Sequence, residues 1–400
     1  MIGIEEKIAR YWEAKLRMID ERELEEMDRL FENIREQRFY EPTSETPVDA
    51  LTFASWLDPE PLLEVVKESY PYFDRIKDRL PPRIRFLAYM VISGKMNVAE
   101  TYRTLGEEGF RKLGFKKIVT YEILREFIYE RIGDTRFKLL FQKIVKEIIR
   151  IMQEKGLVMG KKIMEDATDI RTLKHDMEAE YSGYYREYGY KADITIEADY
   201  KIPLDYSPLG INDDEGKCLK ESQENIKKLG LNPDVWIVDM KYGTYENFAH
   251  SYANDIKLIT EPGKKWKRNP KGNEYHIKKC YQKFHRKEDF KPTNDMDEML
   301  GYLYDKGRIR EVGAYVRNSL LDDYKKSPEK YRDLNSERKN KMEGFNAQLK
   351  TQTPIENHRP RGWRAFVRRL HLCMLALVFA ALIRVQHGVF SCLTSLAYIT

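Results

Sequence analysis

The apolar run Val235-Trp-Ile-Val238, which stops abruptly at Asp239, constrains this chain more than any other stretch. Short runs of β-branched and aromatic residues bounded by polar ones read as buried strands, which puts Asp239 at an exposed C-terminal strand end. Open α/β sheets keep their chemistry there. A single carboxylate in that place can equally cap the following helix, so its meaning depends on partners elsewhere in the chain.

Two candidate partners exist. Upstream, Lys162-Ile-Met-Glu-Asp-Ala-Thr-Asp-Ile170 reads as another short strand leading into Asp166. Downstream, Lys339 to Lys350 is a helix-prone segment in which Glu343 and Lys350 are seven residues apart. That is about two helical turns, so the two side chains share a face. Glu165, Asp169 and Glu337 are the reserve carboxylates at the same strand and helix ends.

Two aspartates on strands followed by a glutamate on a later helix resemble the DDE transposases of prokaryotic insertion sequences, in the ribonuclease H-like superfamily. Asp166-Ala-Thr168 resembles the first-aspartate segment, and Tyr188-Gly-Tyr-Lys191 the strand that usually follows it. Asp239-Met-Lys-Tyr242 resembles the second segment, D-x-x-Y. The third segment, in the branch with the Y-R-E-K signature, reads Y-x2-R-x3-E-x6-K. Glu343 and Lys350 fit it, whereas Ser336 and Lys339 stand in the Tyr and Arg places, with Arg338 one position off.

The resemblance implies an α/β ribonuclease H-like catalytic domain with an insertion, preceded by an all-α DNA-binding region. The expected division is amphipathic helices over residues 1–40, a helical DNA-binding domain over 41–156, and the catalytic domain over 157–400 with a basic insertion at 261–330. It also implies Asp166, Asp239 and Glu343 as catalytic metal ligands, and Lys350, Lys339 and Arg338 as DNA contacts. Three converging carboxylates repel one another unless divalent cations neutralise them. Mg2+, with Mn2+ able to substitute, is the cofactor expected, since two ions about 4 Å apart can activate water or a 3′-hydroxyl and stabilise the leaving oxygen. The expected partners are double-stranded DNA with terminal inverted repeats, target DNA and a second copy of the chain in the active complex. A transposase-derived DNA-binding protein without catalysis, and a structure-specific nuclease, remain open beside the active transposase.

The rest of the sequence fills in this outline. Residues 4–38 carry an amphipathic helical pattern, and 41–47 read as a linker. Pro81 onward is helical, Asn97 to Glu100 has capping-box-like spacing, and Thr120 is positioned to cap Tyr121 to Ile132. Thr135 to Lys155 forms a long helix, after which Gly156 and Gly160 mark a change of period. Strands are expected at 162–167, 192–198, 235–239 and 256–260, a helix at 217–229, and a turn region at 202–208.

Net charge is only +5, but residues 261–291 hold eleven basic against four acidic residues, a local excess of +7. Lys264, Lys265, Lys267 and Arg268 are interleaved there with Trp266, and Tyr275, Tyr281 and Phe284 follow. Cations neutralise phosphates and aromatic faces stack on unpaired bases, so the stretch suits a distorted DNA end, or else a solvated surface. His276, Cys280 and His285 lack a clear fourth ligand for zinc. The four cysteines form no C-x-x-C pair, which fits a reducing cytoplasm, and the resemblance implies association with the nucleoid. Leu370 to Ile383 is strongly apolar but shorter than the roughly 20 residues of a membrane span, so it reads as a buried last helix and no membrane partner is expected.

Overall fold

Helical segments open the described part of the chain because their apolar residues recur on one side of each segment. A computed structural model describes residues 48–400 except 68, 71, 174–175, 185, 264–265, 286–292, 357–360, 398 and 400. The helices expected over 4–38, the 41–47 linker, and Lys264 and Lys265 lie outside the described residues. Helix α1, Pro81–Ile92, starts on two prolines and buries nearly its whole length. Helix α2, Val98–Lys112, is capped by Asn97, whose side chain accepts from the Ala99 and Glu100 amides, and it kinks at Gly106. Helix α3, Tyr121–Glu126, runs on into a π-helical turn at Phe127–Ile132, and Thr120 makes no side-chain cap there. Helix α4, Gly133–Glu154, buries Phe137, Phe141, Ile144, Ile148 and Met152 along one stripe.

Among the described residues, six strands then form one sheet. They are β1, Lys162–Arg171; β2, Glu180–Ser182; β3, Glu187–Glu197; β4, Pro203–Gly210; β5, Val235–Val238; and β6, Lys257–Thr260. Antiparallel pairing joins β1 to β3, and both β2 and β4 to β3, while β5 lies parallel to β1 and β6 parallel to β5. Three long antiparallel strands extended by two parallel ones fit the ribonuclease H-like arrangement. Residues 202–208 were expected as a turn and instead supply β4. Among the described residues this strand pairs only with β3, and such an edge tolerates proline because one row of backbone groups lacks a strand partner anyway. Its Leu204 and Tyr206 turn inward.

Helix α5, Leu219–Lys228, leads from β4 to β5, and helix α6, Tyr245–Ala253, joins the parallel strands β5 and β6. The insertion folds as α7, Glu274–His285, α8, Met296–Asp305, and α9, Ile309–Lys326. Ile277, Tyr281, Met299, Leu300, Leu303 and Val312 give it a small core shared with Ala249 of α6. Helix α10, Pro328–Gln352, lies against β1 and β5. Helix α11, Trp363–Gln386, packs on α1, α4 and β4, so residues 49–400 form one compact unit. By length and composition α11 could cross a membrane, but most of its apolar window is buried inside the protein.

Candidate active site

Register in the sheet sets the site. In the parallel pair, Glu165 of β1 lies opposite Val238 of β5, so the next residues, Asp166 and Asp239, come side by side on the opposite face. That face is the one α10 covers, and Arg338 projects from α10 between the two aspartates. Its guanidinium is 3.2 Å from Asp166 Oδ2 and 3.6 Å from Asp239 Oδ1, with only 13% of the side chain exposed. Burial lifts the Asp166 carboxyl to about 6; Arg338 pulls it back, while Asp239 and Glu215 add to the rise.

The helix does not bring Glu343 to this point. Its side chain is 65% exposed and pairs with Lys339 at 3.9 Å, on the solvent side of α10. Met342, Phe345 and Leu349 take the buried face instead. Lys350 lies half-buried between Asp169, at 3.4 Å, and Glu356, at 3.5 Å. Among the reserve carboxylates, Glu337 binds Lys162 and Lys341, and Asp169 is held by Lys350. Glu165 points through the other face of the sheet. No cluster of three or more metal-ligating side chains occurs among the described residues.

Behind the aspartates lies a buried polar network that the sequence did not disclose. Glu165 accepts from Ser222 Oγ at 3.0 Å and Trp236 Nε1 at 2.8 Å, and it shares a hydrogen bond with Asp193. Burial pushes Glu165 up to about 7, and burial together with the Glu165 charge holds Asp193 well above the carboxylate range. Tyr242 donates to Asp193 from the far end of the D-x-x-Y turn, so the tyrosine anchors the segment that carries Asp239. Lys191, of the Tyr-Gly-Tyr-Lys strand, is buried against Glu215 at 2.8 Å. Burial opposes ionisation of Glu215, but hydrogen bonds from Lys191 and Lys241 hold its carboxyl below the usual range.

The basic insertion has a different character from the one its composition suggested. Trp266 packs against Phe248 and beneath the Arg317 guanidinium, 4.7 Å from the ring centre. It also presses on Gly243, where an added Cβ would fall 2.5 Å from the indole. Tyr281 is buried and Phe284 packs on the small core, leaving Tyr275 as the exposed aromatic of this group. Lys267 is exposed, and Arg268 pairs with Asp322 at 2.8 Å. His276 Nε2 lies 3.3 Å from Cys280 Sγ, and the His285 side chain lies outside the described residues.

A divalent cation needs anionic oxygens from more than one residue at a common point. One guanidinium already reaches both Asp166 and Asp239, so these two carboxylates fit such an ion; Glu343 does not reach it in this arrangement. Residues 162–379 match the family model described as a transposase DDE domain. Comparison with the curated proteins returned no match, nor did comparison with the solved structures.

Proposed function

The chain belongs to the transposase DDE-domain family, and from that premise we propose that it binds the ends of an insertion sequence, cuts them with a divalent metal and joins them to target DNA. The observation that carries this reading is the pairing of Asp166, within β1, with Asp239, just past the end of β5, on one sheet face. These two residues would hold Mg2+ or Mn2+, with Glu343 of the Y-R-E-K signature as the third carboxylate. When bound, the metal supplies Lewis acidity for the attacking and leaving oxygens of a phosphodiester. The protein's own part is to hold the carboxylates at fixed places on β1 and after β5 and to present cations to the backbone. Arg338, Lys339 and Lys350 on α10 and the basic residues of the insertion, Lys264, Lys265, Lys267 and Arg268 among them, are the proposed DNA contacts, and the active complex is a homodimer.

The test uses the full chain and DNA flanking its own coding sequence. Mg2+-dependent nicking at the element ends, followed by joining to a plasmid, is the expected result. Asp166→Asn and Asp239→Asn should each lower cleavage by more than a hundredfold, because each deletes a ligand charge. Unchanged cleavage by either variant would place the chemistry elsewhere. Cleavage without joining would make the chain a nuclease, and DNA binding without cleavage a transposase-derived binding protein.

A further inference from the structure

The guanidinium of Arg338 occupies the position between Asp166 and Asp239 where a cation has to sit. We propose that Arg338 and the divalent metal are alternative occupants of this site, so that metal binding releases Arg338 toward the phosphate backbone and couples metal binding to DNA binding. The inference rests on the metal-site reading above and adds its regulation.

Charge makes the exclusion. Two carboxylates and one guanidinium leave a net charge of −1 in a half-buried place, and two carboxylates with one dication leave none. Retaining both cations would put +1 there, with the guanidinium a few ångströms from the ion. Partial burial screens that repulsion less than water does. The hold on Arg338 is also incomplete. Its second contact is 3.6 Å long, and its Nε is buried with no hydrogen-bond partner among the described residues. A buried unsatisfied donor is costly, and a phosphate oxygen can accept from Nε and a terminal nitrogen together. The residue is therefore held well enough to keep two repelling carboxylates together without metal, and loosely enough to exchange. Its neighbour Lys339 cannot take this part, because it faces solvent and pairs with Glu343.

The experiment titrates Mn2+ into the full chain without DNA, by calorimetry, for the wild type, Arg338→Gln and Arg338→Lys. With the competitor removed, Arg338→Gln should bind Mn2+ about tenfold more tightly, and Arg338→Lys, too short to bridge both carboxylates, several-fold more tightly. Without metal Arg338→Gln should melt below the wild type, and Mn2+ should raise its Tm more than it raises that of the wild type. Anisotropy with a labelled duplex reads the coupling: Mn2+ should tighten DNA binding by the wild type and leave the weaker binding of Arg338→Gln unchanged. Equal or weaker Mn2+ affinity in Arg338→Gln overturns the exchange while leaving the metal site standing. If the wild type binds no Mn2+, or Asp166→Asn binds it equally well, the metal site itself fails and the exchange with it. Should Arg338→Gln not fold, Arg338→Lys decides alone, and an unchanged affinity overturns the proposal.

Discussion

Arg338 and Lys339 are neighbours in sequence, yet one is buried between two aspartates and the other stands in water beside Glu343. A helix turns by about 100° per residue, so a shift of one position moves a side chain from the sheet to the solvent. The spacing rule Y-x2-R-x3-E-x6-K counts positions and not facing, and it left Arg338 one place out of pattern while this side chain reaches the carboxylates. Asp239 was legible because a short apolar run has one exposed end, and a carboxylate there needs no tertiary information; Asp166 was not at such an end, since β1 runs past the expected 167 to Arg171 and holds Asp166 within the strand. Exposure makes Glu343 simple to interrogate. Glu343→Gln should change stability by no more than about 0.5 kcal/mol, as for other surface substitutions. If Glu343 is the third ligand, cleavage should fall more than a hundredfold while DNA binding holds, and single-turnover cleavage with a parallel melt measures both. Full cleavage by Glu343→Gln would remove it from the site.

Among elements, β5 and the edge strand β6 were read to within a residue, whereas the short β2 was missed and β4 was taken for a turn because of Pro203 and Pro208. The insertion shows a second limit of composition. Its charge was legible, but Trp266, Tyr281 and Phe284 turn inward, because a small unit of three helices has to bury something. The exposed face of α7 keeps Lys278, Lys279 and Lys283 in water. Reversing these three to glutamate should weaken duplex binding and flatten its dependence on salt by about one unit of slope per lost phosphate contact. An identical salt titration would make the face a solvated surface only. The insertion is fastened to the sheet by contact between helix backbones. A Cβ at Gly313 of α9 would fall 1.9 Å from the Tyr245 carbonyl oxygen of α6, an atom that has little room to move. Gly313→Ala should therefore cost about 3 kcal/mol or more, read from chemical denaturation, and loosen the attachment of the insertion.

For the whole molecule, the buried last helix was expected from its apolar run, but its partners were not, since sequence separation says nothing of who meets whom. His371 shows what this burial does. It sits in α11 against Phe137 and is hydrogen-bonded through Nδ1 to the Tyr206 hydroxyl at 2.6 Å. Burial, helped by Lys138, pushes its pKa down to about 4, so the folded protein keeps the ring neutral. The unfolded chain takes up that proton below about pH 6.5, so stability is fully present above this value and is lost as pH falls toward 4. The loss amounts to about 3 kcal/mol. His371→Gln should flatten the stability profile between pH 6.5 and 4, after any constant offset from the exchange; an unaltered slope in denaturant melts would assign the acid sensitivity to other groups.

The position of α11 also sets a clock. Helices α1 and α4 bury their apolar faces against a helix made some 230 residues after α4 ends. At roughly 5–20 residues per second, a ribosome needs about 10–50 s to supply it. During that interval the early helices pack on the short helices before them but lack the cover of α11, and the surfaces it would bury are open to any other chain nearby. Newly made copies are thus most liable to stick together on the polysome, where several unfinished chains stand close, and a chaperone held there until α11 emerges would raise the yield of active protein more than one added after release.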